Sequence, residues 1–144
     1  MAEPYPIRIL FDSTVLLDAL LERKPHVQDA AQLIAAVETG RLAGILSATT
    51  TTTIYYLVER ARDREQALQG LRRLLTLFEV APVTRAVLED ALHLGFGDYE
   101  DGVQHEAARH AGAEGIVTRN AQDFAHASLP IYTPMELLQV LRRR

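Results

Sequence analysis

Four acidic side chains in this sequence stand where they could act together. Asp12 ends the apolar run IRILF and opens FDSTVLLD, Asp98 and Asp101 lie in GDYEDGVQHEAARHAG, and Asp123 lies in TRNAQDF. A carboxylate at the end of a buried strand is costly unless it is hydrogen-bonded, paired, or placed in a crevice where water or a cation reaches it. If the second segment is helical, Asp98, Asp101 and His105 fall at i, i+3 and i+7 on one stripe, while Glu100 points elsewhere. Each position also has a plainer reading. Asp98 in a first helical turn is favourable to the helix dipole, Asn120 can cap the turn that follows it, and Asp123 can sit in solvent. His105 could be a ligand or proton donor, or a half-buried structural histidine. His26, His93, His110 and His126 show no metal-ligand spacing.

The elements that must position these residues follow from periodicity. Short apolar runs predict strands over Ile7–Phe11, Ala43–Leu46, Phe78–Val83, Gly115–Thr118 and Pro130–Tyr132. Amphipathic spacing predicts helices over Val15–Glu22, His26–Thr39, Thr50–Arg60, Arg64–Leu75, Arg85–Leu92, Asp98–Ala111 and Met135–Leu141, the last just after Pro134. Strands alternating with helices imply a parallel sheet covered on both faces, with ligands at the carboxyl ends of the strands. Asp12, Ser47, Thr118, Arg119 and Asn120 all fall at such ends.

The chain has 144 residues and no composition break, so a single domain spanning 1–144 is expected. With no cysteine, disulfides, thiolate metal sites and thiol nucleophiles are excluded. No stretch approaches the roughly 20 apolar residues of a membrane span, and the start MAEPYPIRILFD lacks the pattern of a secretory leader, so a soluble cytoplasmic protein is expected. The net charge of −4 argues against a constitutive nucleic-acid coat but not against a nuclease, whose metal site must itself be acidic. Arg60, Arg62, Arg64, Arg72 and Arg73 gather in ERARDREQALQGLRRLL, read as a helix pair with Leu68, Leu71, Leu74 and Leu75 inward. The arginines form either a solvated face or a grip on RNA backbone.

FDSTVLLD, GDYEDGVQHEAA and IVTRNAQDF, followed by an apolar strand and TPMELL, together resemble the PIN-domain family, which includes the toxin halves of bacterial toxin–antitoxin pairs. The resemblance covers essentially the whole chain in order and spacing. It implies a three-layer α/β/α sandwich around a parallel sheet of about five strands. It also implies a metal-dependent ribonuclease acting on RNA, with a cognate antitoxin and a homodimer as candidate partners. Asp12 matches the family's first acid and Asp101 the acid at the start of the late helix, with Asp98 and Asp123 as further candidates for the catalytic and metal-holding set. Oxygen ligands suit Mg²⁺ or Mn²⁺, which can activate water and offset the charge of a phosphodiester displacement.

The sequence departs from the family at three places. Thr14 stands where the family usually has Asn, Thr53 falls where a Glu is common in the helix after the second strand, and Asn120 replaces an Asp. One charge pair at ~4 Å in an effective dielectric of ~20 is worth about 4 kcal/mol before desolvation, so lost carboxylates weaken metal binding. The alternative is therefore a PIN-like module that binds RNA or a protein without efficient cleavage. Thr14, Thr53, Arg119 and Asn120 are the candidate substrate contacts, with Arg119 the first choice for a phosphate. Of the threonines Thr49–Thr53, a cap at Ser47 or Thr49 accounts for one, and hydroxyls lining a phosphate cleft would account for more. A phosphotransferase of the haloacid-dehalogenase kind would need Asp-x-Asp, whereas this chain reads Asp12-Ser13-Thr14. A receiver domain would need an acid after VAPVT, and no glycine-rich nucleotide loop is present.

Overall fold

The computed structural model describes residues 5–144. The leaderless reading of the N-terminus rests in part on residues 1–4, which lie outside the described residues. Five parallel strands form one sheet: β1 (Ile7–Phe11), β2 (Leu42–Ser47), β3 (Glu79–Ala81), β4 (Gly115–Val117) and β5 (Ile131–Tyr132), in the spatial order β3-β2-β1-β4-β5. The helices are α1 (Ser13–Leu20), α2 (Val27–Glu38), α3 (Ala48–Ala61), α4 (Arg64–Leu77), α5 (Arg85–Leu92), α6 (Tyr99–His110) and α7 (Pro134–Arg142), with a 3₁₀ turn at Ala121–Phe124.

Alternation along the strands builds two cores. Ile7, Ile9 and Phe11 of β1 pack with Leu46 and Val117 against residues of α1, α2, α3, α4 and α7, whereas Leu10, Ile45 and Ile116 face α5 and α6. The sheet is covered on both faces, as the alternating pattern predicted, and the whole is the three-layer α/β/α arrangement that the resemblance implied. The winding reverses at β1: the chain builds outward through β2 and β3, then returns by α5 and α6 to place β4 on the other side. The crevice between the carboxyl ends of β1 and β4 is therefore the switch point where parallel sheets bind ligands.

Local chemistry shifted several element ends. α1 begins at Ser13, two residues before the predicted start, because Asp12 is already the extended residue at its N-cap, and the chain leaves through Glu22 at φ 52°. α3 runs straight out of β2 from Ala48, with Ser47 at its N-cap; the Ser47 side chain makes no cap bond and instead meets the Thr49 hydroxyl at 3.0 Å. β3 stops at Ala81 because Pro82 has no N–H to continue the ladder. Phe78, predicted in that strand, caps α4 and packs edge-on against Phe11, with ring centroids 5.0 Å apart. Leu75, expected inward, is 51% exposed, and the buried positions of α4 are Ala67 and Leu74. No described helix is long and apolar enough to cross a membrane.

Gly44 of β2 and Gly115 of β4 both stand in register with Ile9. A Cβ on Gly44 would lie 2.6 Å from the Phe78 ring and 2.9 Å from Val37, so the close seating of that ring over β2 needs glycine. Gly44→Val is expected to destabilise the fold by about 2 kcal/mol through overpacking. Urea unfolding would measure this loss, and adding Phe78→Leu should recover part of it.

Candidate active site

Asp12 is buried at the end of the central strand, and its carboxylate accepts three hydrogen bonds. Thr14 Oγ1 donates to Oδ2 at 2.7 Å from the first turn of α1. Thr118 Oγ1 donates to the same oxygen at 2.8 Å from the end of β4, and Gln104 Nε2 donates to Oδ1 at 3.0 Å from within α6. The backbone N–H of Asn120 donates in turn to Thr118 Oγ1 at 3.0 Å, which fixes the direction of that hydroxyl. Hydrogen bonds from both sides of the switch point thus answer the cost of placing a carboxylate there. Thr14 orients Asp12 directly.

Asp98 occupies the N-cap of α6, where its Oδ1 accepts from the backbone N–H of Glu100 at 2.8 Å. Capping accounts for its backbone contact, yet Asp98 also lines, with Asp101, Asp123 and His126, a cleft of about 330 Å³. Asp101 follows in the first turn, half-buried. Burial, then the charges of Asp12, Asp98, Asp123 and Glu100, push the Asp101 carboxyl up from 3.8 to about 7. Four other carboxylates are therefore close enough to oppose its ionisation, and the sequence-predicted acids do converge.

Glu100 points off the Asp98–Asp101 stripe, as its spacing predicted, and is exposed. Its Oε1 accepts from Thr53 Oγ1 of α3 at 3.3 Å. Neither residue is among those lining the cleft of Asp98, Asp101 and Asp123. Thr51 and Thr52 bond back to the carbonyls of Ala48 and Thr49, so they satisfy their own helix. Arg119 is turned to a different partner and lines a separate pocket with His26, Asp29 and Met135: Nε donates to Oδ2 of the buried Asp18 at 2.6 Å and Nη2 to Oδ1 at 3.3 Å, while Arg23 Nε reaches Oδ1 at 2.8 Å. The Asn120 side chain makes no hydrogen bond among the described residues; its backbone carbonyl accepts from the Asp123 N–H at 2.9 Å.

His105 is structural. Its Nε2 accepts from the Ser128 N–H at 3.0 Å, so the proton sits on Nδ1, which faces Glu106 Oε2 at 2.8 Å. Burial alone would raise the Glu106 carboxyl, but hydrogen bonds from Arg109 and His105 outweigh it and hold the pKa below the ordinary value. Asp90, Glu106 and His110 form the one trio of metal-type ligands within 4.8 Å of one another among the described residues. The Arg109 guanidinium already sits there, 3.1 Å from Asp90 Oδ2 and 3.0 Å from Glu106 Oε1, and supplies the counter-charge a metal would bring. The cleft acids are spaced more widely. That all-oxygen set fits a hard cation that keeps several of its own waters and touches only a few carboxylates.

Gln104 and Asp18 escaped sequence reasoning, and Thr118 was placed at its strand end without its bond to Asp12. Gln104 carried a usable signal, standing three residues after Asp101 as an amide within an otherwise small and apolar helical face; Asp18 was likewise a lone acid inside the apolar helix VLLDALL.

A five-stranded parallel sheet between helical layers, with acids gathered at its switch point, defines an α/β/α sandwich whose ligand crevice is acidic. A family model described as PIN domain matches residues 8–122, and the chain belongs to this family. It is 23% identical over 137 residues to Ribonuclease VapC1 of Aquifex aeolicus (strain VF5), covering 92% of this chain and 94% of that protein. Among solved structures it resembles the toxin–antitoxin complex from Klebsiella pneumoniae, with TM-score 0.66, 23% identity, and 88% of this chain and 97% of that chain covered. It likewise resembles DNA-bound VapBC from Salmonella typhimurium, with TM-score 0.67, 15% identity, and coverage of 89% and 98%.

Because Asp101 titrates higher when folded, the folded protein retains a proton that the unfolded chain has released between about pH 4 and about pH 7. Its ionisation therefore costs stability as pH rises through that window. In EDTA, Asp101→Asn should match wild type near pH 4 and be more stable at pH 8 by about 1–2 kcal/mol, after discounting for solvent screening. Urea unfolding at the two pH values measures this difference.

Proposed function

We propose that this chain, working as a single PIN-like domain over 1–144, is a divalent-metal-dependent ribonuclease that hydrolyses RNA phosphodiester bonds and acts as the toxin of a toxin–antitoxin pair in the cytoplasm. The observation that carries the reading is the convergence of Asp12, Asp98, Asp101 and Asp123 at the switch point, the half-buried Asp101 among them pushed to about 7 by burial and by its acidic neighbours. Family membership and the likeness to a ribonuclease over nearly the full length support it.

Asp12, Asp98, Asp101 and Asp123 would hold Mg²⁺ or Mn²⁺, which when bound activates water and offsets the negative charge of an in-line displacement. The chain's own groups do the rest. Asp12 is held rigidly by Thr14, Gln104 and Thr118. Asp101 would ligate the cation in its ionised form, the form that the charge of a bound cation favours. Asn120 and Thr53 offer neutral donors at the rim, where a carboxylate would repel phosphate. Arg119 has two of its nitrogens on Asp18 and keeps Nη1 without a hydrogen-bond partner among the described residues, available to a phosphate oxygen.

The partners suggested by the similar complexes are an antitoxin protein and a second copy of the chain. Tyr56, Leu57 and Leu75, 53%, 38% and 51% exposed on α3 and α4, are the apolar surface available to them.

Wild type and Asp101→Asn, purified identically, should be compared on a mixed set of structured and single-stranded RNAs with Mn²⁺ or Mg²⁺. Cleavage should require metal and fall by at least ~100-fold in the variant, since even outer-sphere partners of a metal are typically worth 10–100-fold. Equal inertness of both proteins across metals and substrates would overturn the nuclease reading in favour of a binding module, for which the absence of an acid in the first turn of α3 is the supporting observation.

A further inference from the structure

We propose that Glu100, carried by α6 and held in place by Thr53 of α3, is a metal-holding carboxylate of this site and supplies the charge that the α3 side of the cleft does not have. The assignment rests on the metal-dependent reading above and deepens it.

The first turn of α3 contains no acid, and its residues up to Thr53 are alanine and threonines. Among those hydroxyls Thr53 is the one that bonds to an acid of α6, while Thr51 and Thr52 bond back to their own helix. Glu100 is that acid and crosses to α3, where Oε1 accepts the Thr53 hydroxyl at 3.3 Å, a contact between residues 47 positions apart. No arginine, lysine or histidine pairs with Glu100 among the described residues, and its Oε2 has no hydrogen-bond partner there. Two buried acids elsewhere in the fold do have cations: Asp18 has Arg23 and Arg119, and Glu106 has Arg109.

A glutamate in a first helical turn is favoured by the helix dipole wherever its side chain points. That effect explains the residue type but not the reach of this exposed side chain across to Thr53, which keeps it near the other acids around Asp101. A divalent cation in the cleft would reward that geometry, because each added carboxylate oxygen strengthens the site for a hard ion. The acid then arrives from α6 with its position set by a neutral hydroxyl on α3. What matters to the cation is where the oxygen lies, not which helix carries it.

The test exchanges the carboxylate between the two helices. Mn²⁺ is titrated calorimetrically into the metal-free full chain as wild type, Glu100→Gln, Thr53→Glu and the double variant Glu100→Gln with Thr53→Glu, and each is also melted in EDTA. Glu100→Gln should weaken Mn²⁺ binding by about tenfold, the scale of losing one supporting group at a metal site, while its melting temperature in EDTA stays at the wild-type value. The double variant should recover most of the lost affinity, because Thr53→Glu restores a carboxylate to the same wall. Wild-type affinity in Glu100→Gln, or a double variant no better than Glu100→Gln alone, would overturn the assignment and leave Glu100 a helix-dipole residue. Failure of wild type itself to bind Mn²⁺ or Mg²⁺ would instead remove the metal-dependent reading on which the assignment rests.

Discussion

The structure depends first on how Asp12 is accommodated. A carboxylate at the end of the innermost strand, almost wholly removed from water, destabilises a fold unless donors meet it. Here they come from three separate elements: Thr14 on α1, Gln104 on α6 and Thr118 at the end of β4. The Thr14 bond is local, but the other two form only once the sheet has taken the order that sets β4 beside β1 with α6 against their ends. The same requirement ties α6 to the sheet, and α6 carries Asp98, Glu100 and Asp101. Satisfying one buried acid therefore fixes the position of the others.

Charge compensation separates the acids into two populations. Asp18 is gripped by Arg23 and Arg119, while Glu106 is gripped by Arg109, which also reaches Asp90. These are structural pairs: removing one partner would strand a buried charge at a cost of roughly 3–5 kcal/mol. Asp12, Asp98, Glu100, Asp101 and Asp123 have no ion-pair partner among the described residues, although they lie close enough together to raise the Asp101 carboxyl to about 7. Repulsion left uncompensated in one place, on a chain that neutralises its other buried acids with arginine, marks that place as serving something other than stability.

The strands and most helices were legible because the sheet is buried on both faces, so its strands read as short apolar runs set between amphipathic segments. Element ends were less so. Asp12 acting as a cap lengthened α1 backwards, and Pro82 shortened β3, each a one-residue effect that periodicity does not weigh. The acids themselves were legible from their positions at strand ends and in the first turn of α6. Their partners were not. Gln104 and Thr118 bond to Asp12 across 92 and 106 residues, and the reach of Glu100 to Thr53 depends on how two helix starts face each other. A helical wheel sorts side chains around one axis and cannot represent a first turn whose side chains extend past the helix end toward a neighbour.

Arg119 shows the same limit from the opposite direction. Position alone, directly after a strand end and beside an acidic cluster, recommends it as a free cation for phosphate. The fold directs two of its five N–H donors to Asp18, an acid 101 residues earlier that had looked like one polar residue in an apolar helix. That pairing turns the guanidinium toward a separate pocket lined by His26, Asp29 and Met135, whereas Arg109 fills the space among Asp90, Glu106 and His110. An arginine tethered outside an acidic cleft and an arginine seated inside one have opposite consequences. The first leaves room for a divalent cation with an anion beside it, and the second makes the cation redundant. Asp18 thus matters to the chemistry of the cleft without lining it, because it decides which of these two arrangements Arg119 adopts.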